Sequence, residues 1–195
     1  MDMSGEVRIP ASQERVWAAL NDPETLRQAI PGCETLTKTS DTELEATARA
    51  KIGPVSARFK GKVTLSDLQP PHGYTLTGEG TGGAAGFAKG QAKVTLTPDG
   101  EGTLLHYTVK ATVGGKLAQI GQRLIDGAAK KMADDFFEQL SALAAGTTAA
   151  AIDESQSQKA AGDDHVHPRP FHIPLWLPVA VIVAGLALLS VVLMR

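Results

Sequence analysis

Cysteine is almost missing from this chain. Cys33 is the one thiol in 195 residues, so no intramolecular disulfide can form, and the reading is a reducing compartment or at least independence of oxidation. Neither sign of charge is in excess. Nineteen Lys+Arg face 21 Asp+Glu, which argues against a dedicated nucleic-acid binder, since such proteins carry a basic surplus. The start, MDMSGEVRIP, has no apolar run and no basic opening, and so does not read as a secretory signal. Catalytic constellations are also lacking. Cys33 has no evident cation or helix N-terminus near it in sequence to lower its pKa. His72 sits in a Pro-rich turn and His106 on an outward strand position, neither with a Ser or Asp orienter for a triad. GEGTGGAAG, residues 78–86, has the glycines of a phosphate loop without its Lys-Ser/Thr ending. His165, His167 and His172 cluster without the spacing of a closed metal site. The expectation is a protein that is not an enzyme and has no metal.

What is present divides the chain into three. Residues 1–145 are patterned as one globular domain. Residues 146–171, rich in Ala, Ser, Gln and Asp, have almost nothing to bury and read as a flexible linker. Ile173 to Met194 carries no charge, and as helix would span about 33 Å, the thickness of a bilayer core. Phe171 and Trp176 stand where an interfacial aromatic belt is expected, and Arg195 can reach the far headgroups. These features predict a C-terminal transmembrane helix over 172–195, making a single-pass protein of the cytoplasmic membrane with its domain on the cytoplasmic side.

Inside the domain, SGEVRIP reads as a first strand. Ser12 is placed to cap a short helix over QERVWAALN, and Asp22-Pro23-Glu24 to open a second that IPGCE ends. Six strand-like runs follow between about Glu34 and Val113, broken at Thr39-Ser40-Asp41, Gly53-Pro54, Pro70 to Gly73, Gly82-Gly83 and Pro98-Asp99-Gly100. After Gly114-Gly115 the period changes. Leu117, Ile120, Leu124, Ala128, Met132, Phe136, Leu140 and Leu143 recur every three or four residues, the pattern of one long amphipathic helix. The resulting fold class is α+β, a curved antiparallel seven-stranded sheet gripping a long C-terminal helix.

Period-two alternation sorts each strand into faces. The inward sets are unusually small: Ala46, Ala48, Ala50 and Ile52, then Val55, Ala57, Phe59 and Gly61, with Tyr74, Leu76, Gly78 and Gly80 further on. Ala88, Gly90, Ala92, Val94 and Leu96 and then Leu105, Tyr107, Val109, Ala111 and Val113 complete the wall. Interiors are close-packed, so missing side-chain volume is filled either by the helix lying close or by a ligand. Gly121, Gly127, Ala128 and Ala129 make the helix face small too. An apolar cavity follows, lined by Ala48, Ala50, Ala57, Phe59, Gly61, Leu76, Gly78, Gly80, Ala88, Gly90, Ala92, Tyr107, Val109, Leu124, Ala128, Met132 and Phe136. Arg49, Lys51, Arg58, Lys60 and Lys62 lie on the outer face of one hairpin. They read either as solvated charge that discourages edge pairing or as a surface docking anionic lipid or an acidic partner.

The strings SGEVRIPAS, VWAALNDPETL, IPGCE, KIGPVSARFKGKVTLSDLQPPHGYTLTGEG, GGAAGFAKGQAKVTL and VGGKLAQIGQRLIDGAAKKMADDFFEQL resemble, in order, the carbon monoxide dehydrogenase G-subunit family of helix-grip, START-like and Bet v 1-like domains. The resemblance covers about residues 1–145. It implies an apolar cavity between sheet and long helix and a non-catalytic accessory role beside an aerobic carbon monoxide dehydrogenase or related molybdenum hydroxylase. Combined with the expected anchor, it predicts recruitment of that enzyme to the cytoplasmic membrane and a cavity holding menaquinone, ubiquinone or another lipid. A lipid or hydrophobic-metabolite carrier unrelated to a dehydrogenase is the alternative. A START-like enzyme acting on a bound apolar substrate is a third reading, weakened by the missing acid–base groups.

Overall fold

The computed structural model describes residues 1–156, with side chains through residue 146. Seven strands form one antiparallel sheet: β1 (Asp2–Ile9), β2 (Cys33–Lys38), β3 (Glu43–Ile52), β4 (Val55–Gln69), β5 (Gly73–Thr81), β6 (Phe87–Asp99) and β7 (Gly102–Gly114), in the order β1-β7-β6-β5-β4-β3-β2. Between β1 and β2 lie α1 (Gln13–Ala19) and α2 (Pro23–Ala29); after β7 come α3 (Lys116–Gln119) and α4 (Gln122–Gln156). This is the helix-grip fold, a curved sheet around the C-terminal helix, as expected from the alternation and the closely spaced turns.

Local chemistry explains the element ends. Asp22 caps α2 by accepting from Thr25 N at 2.8 Å, and Pro23 fills the first helical position. Ser12 stands at the N-cap of α1 but its side chain makes no cap bond. Inside the β1–α1 corner the Thr103 hydroxyl donates to Ala11 O at 2.8 Å, satisfying two buried polar groups at once. The main core gathers Ile9, Val16, Leu20, Leu26, Leu76, Leu105 and Leu140, all fully buried. Each such side chain contributes about 1.5–3 kcal/mol through removal from water. α2 and α1 both pack against α4 and close this end of the grip.

The C-terminal helical segment differs from its expected form. It is broken: Gly121, with φ at +92°, separates α3 from α4. Only glycine takes that turn freely. The first turns of α4 bury Ile125 and Ala129 rather than the expected Leu124 and Ala128, with Leu124 left 53% exposed, and the buried stripe then rejoins the expected one at Phe136 and Leu140, with Phe137 and Ala144 beside them. α4 also continues across residue 146 to Gln156, through residues whose composition reads as linker.

The expected transmembrane helix is corrected. Among the described residues no helix is long and apolar enough to cross a membrane. α4 has the length, but it carries Lys130, Lys131, Asp134, Asp135 and Glu138 along its described part, a density of charge a bilayer core does not accept. The apolar run placed at 172–195 lies outside the described residues, as do His165, His167 and His172. The expectations built on a span are withdrawn with it: the single-pass anchor, the cytoplasmic-membrane location, the membrane as partner, and recruitment of a hydroxylase to it.

Candidate functional site

Strand register turns the small residues into a band. Reading the inward face row by row, Leu65, Leu76, Ala92 and Val109 are neighbours across β4 to β7. The next row is Leu44, Val63, Gly78, Gly90 and Ala111, and the next Ala46, Gly61, Gly80, Ala88 and Val113. Beyond it Ala48 faces Phe59. The buried side chains accordingly form two clusters. The main one includes Leu65, Tyr74, Leu76 and Val94, and the smaller one joins Ala48, Phe59, Ala85, Ala88 and Leu117. The glycines lie where the two meet.

Part of the missing volume is filled by the protein's own rings. A methyl on Gly82 would come within 2.4 Å of the Phe59 ring and one on Gly5 within 2.5 Å of the Tyr107 hydroxyl, and on the outer face one on Gly114 would lie 2.2 Å from the exposed Phe87 ring. These glycines are seats for aromatic side chains. Tyr107 and Phe136 in turn each meet Phe137 with ring centroids 5.1 Å apart, the first tilted and the second edge-on. Of the residues assigned to a cavity, Leu76, Ala92, Tyr107, Val109 and Phe136 thus stand in the main core, and Ala48, Phe59 and Ala88 in the smaller one. Ala57 packs on the edge of the smaller cluster.

Open space appears instead at the N-terminal half of α4. A methyl on Gly127 would meet nothing within 4 Å. Here a cleft of about 490 Å³ separates the helix from the end of β3, within the size range of small-molecule sites. Ala50, Leu124, Ala128 and Met132, four of the expected lining residues, meet there with Pro31 and Gly127. Gly32 shapes the rim: its φ is +72°, and a methyl on it would lie 2.2 Å from Arg49 O, so only glycine allows β3 to approach so closely. In sequence Pro31-Gly32 reads simply as a helix stop. Gly127, a costly glycine inside a helix, is the local signal for open space.

The cleft rim is basic. Arg49, Lys51, Arg123 and Lys131 line it, against the single carboxylate of Asp135. Lys131 Nζ is 2.7 Å from Asp135 Oδ2, and this hydrogen bond raises the lysine's pKa. On the outer face, Arg58 Nε takes Glu34 at 2.7 Å while Arg49 Nε stands 3.6 Å from the same carboxylate. Lys62 pairs with Glu43 at 2.7 Å and belongs to a row of alternating charge, Glu45, Lys62, Glu79 and Lys89, across four strands. Lys60 lies between Thr47 and Thr81 in its row. The basic hairpin is therefore largely neutralised at Lys62 and stays cationic toward its tip.

Two of the side chains weighed for catalysis, Cys33 and His72, have defined surroundings. Burial pushes the Cys33 thiol up, only partly offset by Arg27. Gln13 Nε2 lies 3.0 Å from His72 Nδ1 and donates to Leu96 O at 2.9 Å, tying the histidine into a structural turn. Among the described residues no group of three or more His, Cys, Asp or Glu could hold a metal ion. A second concavity, about 870 Å³, opens between the α1–α2 corner and the β2–β3 turn and is lined by Trp17, Asn21, Lys38 and Asp41. Behind it Trp17 meets Tyr74 edge-on at 5.8 Å. The Tyr74 hydroxyl is buried and without a hydrogen-bond partner among the described residues, and burial pushes its pKa up. Tyr74→Phe is therefore expected to be neutral or to stabilise by up to about 1 kcal/mol, since an unpaired buried hydroxyl carries a desolvation cost. A urea midpoint that falls by the equivalent of more than about 1 kcal/mol would mean that the hydroxyl is satisfied in solution.

Residues 5–145 match the family model of the carbon monoxide dehydrogenase G subunit (CoxG). No curated protein matches the chain. Among solved structures, a conserved protein from Geobacillus kaustophilus is similar at 34% identity, over 75% of this chain and 97% of that one, with a TM-score of 0.72. A protein from Thermus thermophilus shares the fold at 15% identity, with 75% and 99% of the two chains covered and a TM-score of 0.56. The Zhui aromatase/cyclase from Streptomyces sp. R1128 shares it at 12% identity, with 74% and 93% covered and a TM-score of 0.56. At the last two identities the likeness concerns the fold alone.

Proposed function

Because the chain belongs to the carbon monoxide dehydrogenase G-subunit family, we propose that its helix-grip domain is a non-catalytic module that binds a lipid or hydrophobic metabolite. Access is through the cleft between β3 and α4. The observation that carries this reading is the cleft's floor. Ala50, Leu124, Gly127, Ala128 and Met132 leave an apolar surface uncovered, and Leu124 is one of two large hydrophobic residues left exposed among the described residues. Exposed apolar area of this kind is what an apolar guest would cover. Menaquinone and ubiquinone belong to the class of ligand such a floor accepts. The family's description supplies the partner class, a carbon monoxide dehydrogenase beside which the domain would act as an accessory.

Gly127→Leu separates this reading from a purely structural one. Replacing a helical glycine should stabilise the protein by about 1 kcal/mol, while the new side chain enters the cleft. Binding of the neutral apolar probe N-phenyl-1-naphthylamine, followed by fluorescence, is expected to weaken by about tenfold or more, the equivalent of ~1.4 kcal/mol. Undiminished probe binding by a folded Gly127→Leu protein would remove the cleft from the proposal.

A further inference from the structure

We propose that the cleft selects an amphiphile with an anionic head, specifically a long-chain carboxylate whose apolar chain lies on the Leu124–Met132 floor and whose head meets Lys51 and Arg123. The inference rests on the apolar-binding reading above and adds the chemistry of the head. Its basis is the imbalance of charge at the rim. Four cations, Arg49, Lys51, Arg123 and Lys131, line the cleft with one carboxylate, Asp135. Asp135 is taken by Lys131 through both oxygens, at 2.7 and 2.8 Å. Arg49 has a share in Glu34, which Arg58 holds more closely. Lys51 and Arg123 have no ion-pair partner among the described residues. A surface lysine and arginine are ordinary in water. Here they stand on opposite walls of one cleft, Lys51 on β3 and Arg123 on the first turn of α4, and Arg123 directly precedes the exposed Leu124.

A neutral ligand would use the floor and leave the two charges solvated. A carboxylate between them would gain a charge-assisted pair on each side, and the guanidinium offers a fork that matches its two oxygens. The apolar chain would cover the side chain that solvent now touches. The sequence pattern assigns Lys51 to the outer docking face, and at the end of β3 it also borders the cleft.

The test uses the full chain and two probes with the same tail, dodecanoate and dodecanol, each below its micellar concentration and each competing with N-phenyl-1-naphthylamine. Wild-type protein is compared with the double variant Lys51→Gln, Arg123→Gln, so that binding elsewhere on the chain cancels. Dodecanoate is expected to bind about tenfold more tightly than dodecanol, as charge-assisted pairs exceed neutral contacts. That preference should shrink as salt is raised and disappear in the double variant, while dodecanol affinity stays the same. Equal affinity for the two probes, or a preference that survives in the double variant, overturns the anionic head and leaves the apolar cleft standing. Failure of both probes to compete overturns the inference together with the reading beneath it.

Discussion

Gly86→Ala is expected to destabilise the domain by at least about 3 kcal/mol, close to the upper end of what a strained backbone position costs. Gly86 sits at φ +112°, ψ −154°, a region that only glycine occupies without strain. Space is as restrictive as torsion. A methyl there would lie 2.1 Å from Gly114 O and 3.0 Å from Gly115 Cα. Neither neighbour is a flexible side chain that can swing away. Gly114 is held in register opposite Phe87, Gly86 O accepts from Gly82 N at 2.9 Å, and Gly115 is itself at φ +72° with no room for a methyl. Two backbones touch where the β5–β6 connection meets the entry to α3. Gly83→Ala is the matched control: its φ is +60°, but a methyl would meet nothing within 4 Å, so its cost should be limited to about 1–2 kcal/mol of left-handed strain. Urea unfolding of the two variants reads the difference directly. Equal losses would show that the backbone contact at Gly86 is not there.

Leu140→Ala should cost about 3 kcal/mol, within the range for removing a buried leucine, and Leu124→Ala less than about 0.5 kcal/mol. Leu140 is fully buried in the main core, whereas Leu124 is 53% exposed. The pair discriminates because the heptad-like spacing of the sequence assigns both to one apolar stripe. Denaturant midpoints of the two proteins, at unchanged slope, would check the assignment. Comparable losses would place Leu124 in the core and close the cleft that the functional reading requires.

These two leucines also show how far the sequence can be read. Alternation in the strands depends on neighbouring residues, and it separates the inward from the outward sets between Ala46 and Val113 as the sheet does. The turns at Gly53-Pro54, Gly82-Gly83 and Pro98 to Gly100 are equally local and equally plain. The phase of the C-terminal helix is plain only in its later turns: Phe136 and Leu140 are buried as the spacing expects, but after the break at Gly121 the first turns of α4 bury Ile125 and Ala129 in place of Leu124 and Ala128. Aromatic rings seated on glycines are beyond reach for another reason. Tyr107 covers Gly5, a contact that exists only through the β1–β7 register. The same holds for Lys62, whose neutralisation by Glu43 and the charges in its row depends on how β3, β4 and β5 align. At the cleft, Ala50, Leu124, Ala128 and Met132 are visible in the sequence as small or apolar positions. Arg123 and Lys131 are not, since a cation on an amphipathic helix says nothing of what stands across from it.

The sheet order has a consequence for assembly on the ribosome. Five of the six strand pairings join neighbours in sequence, and the sixth joins β1 to β7, with Asp2 opposite Lys110. As the nascent polypeptide emerges, β2 through β7 can zip together hairpin by hairpin. The first strand made must wait until the last has been translated, and closing that long loop is the slow entropic step. Until that loop closes β7 presents an unpaired edge, open to a second copy's first strand, so crowded synthesis would promote exchange of that strand between chains.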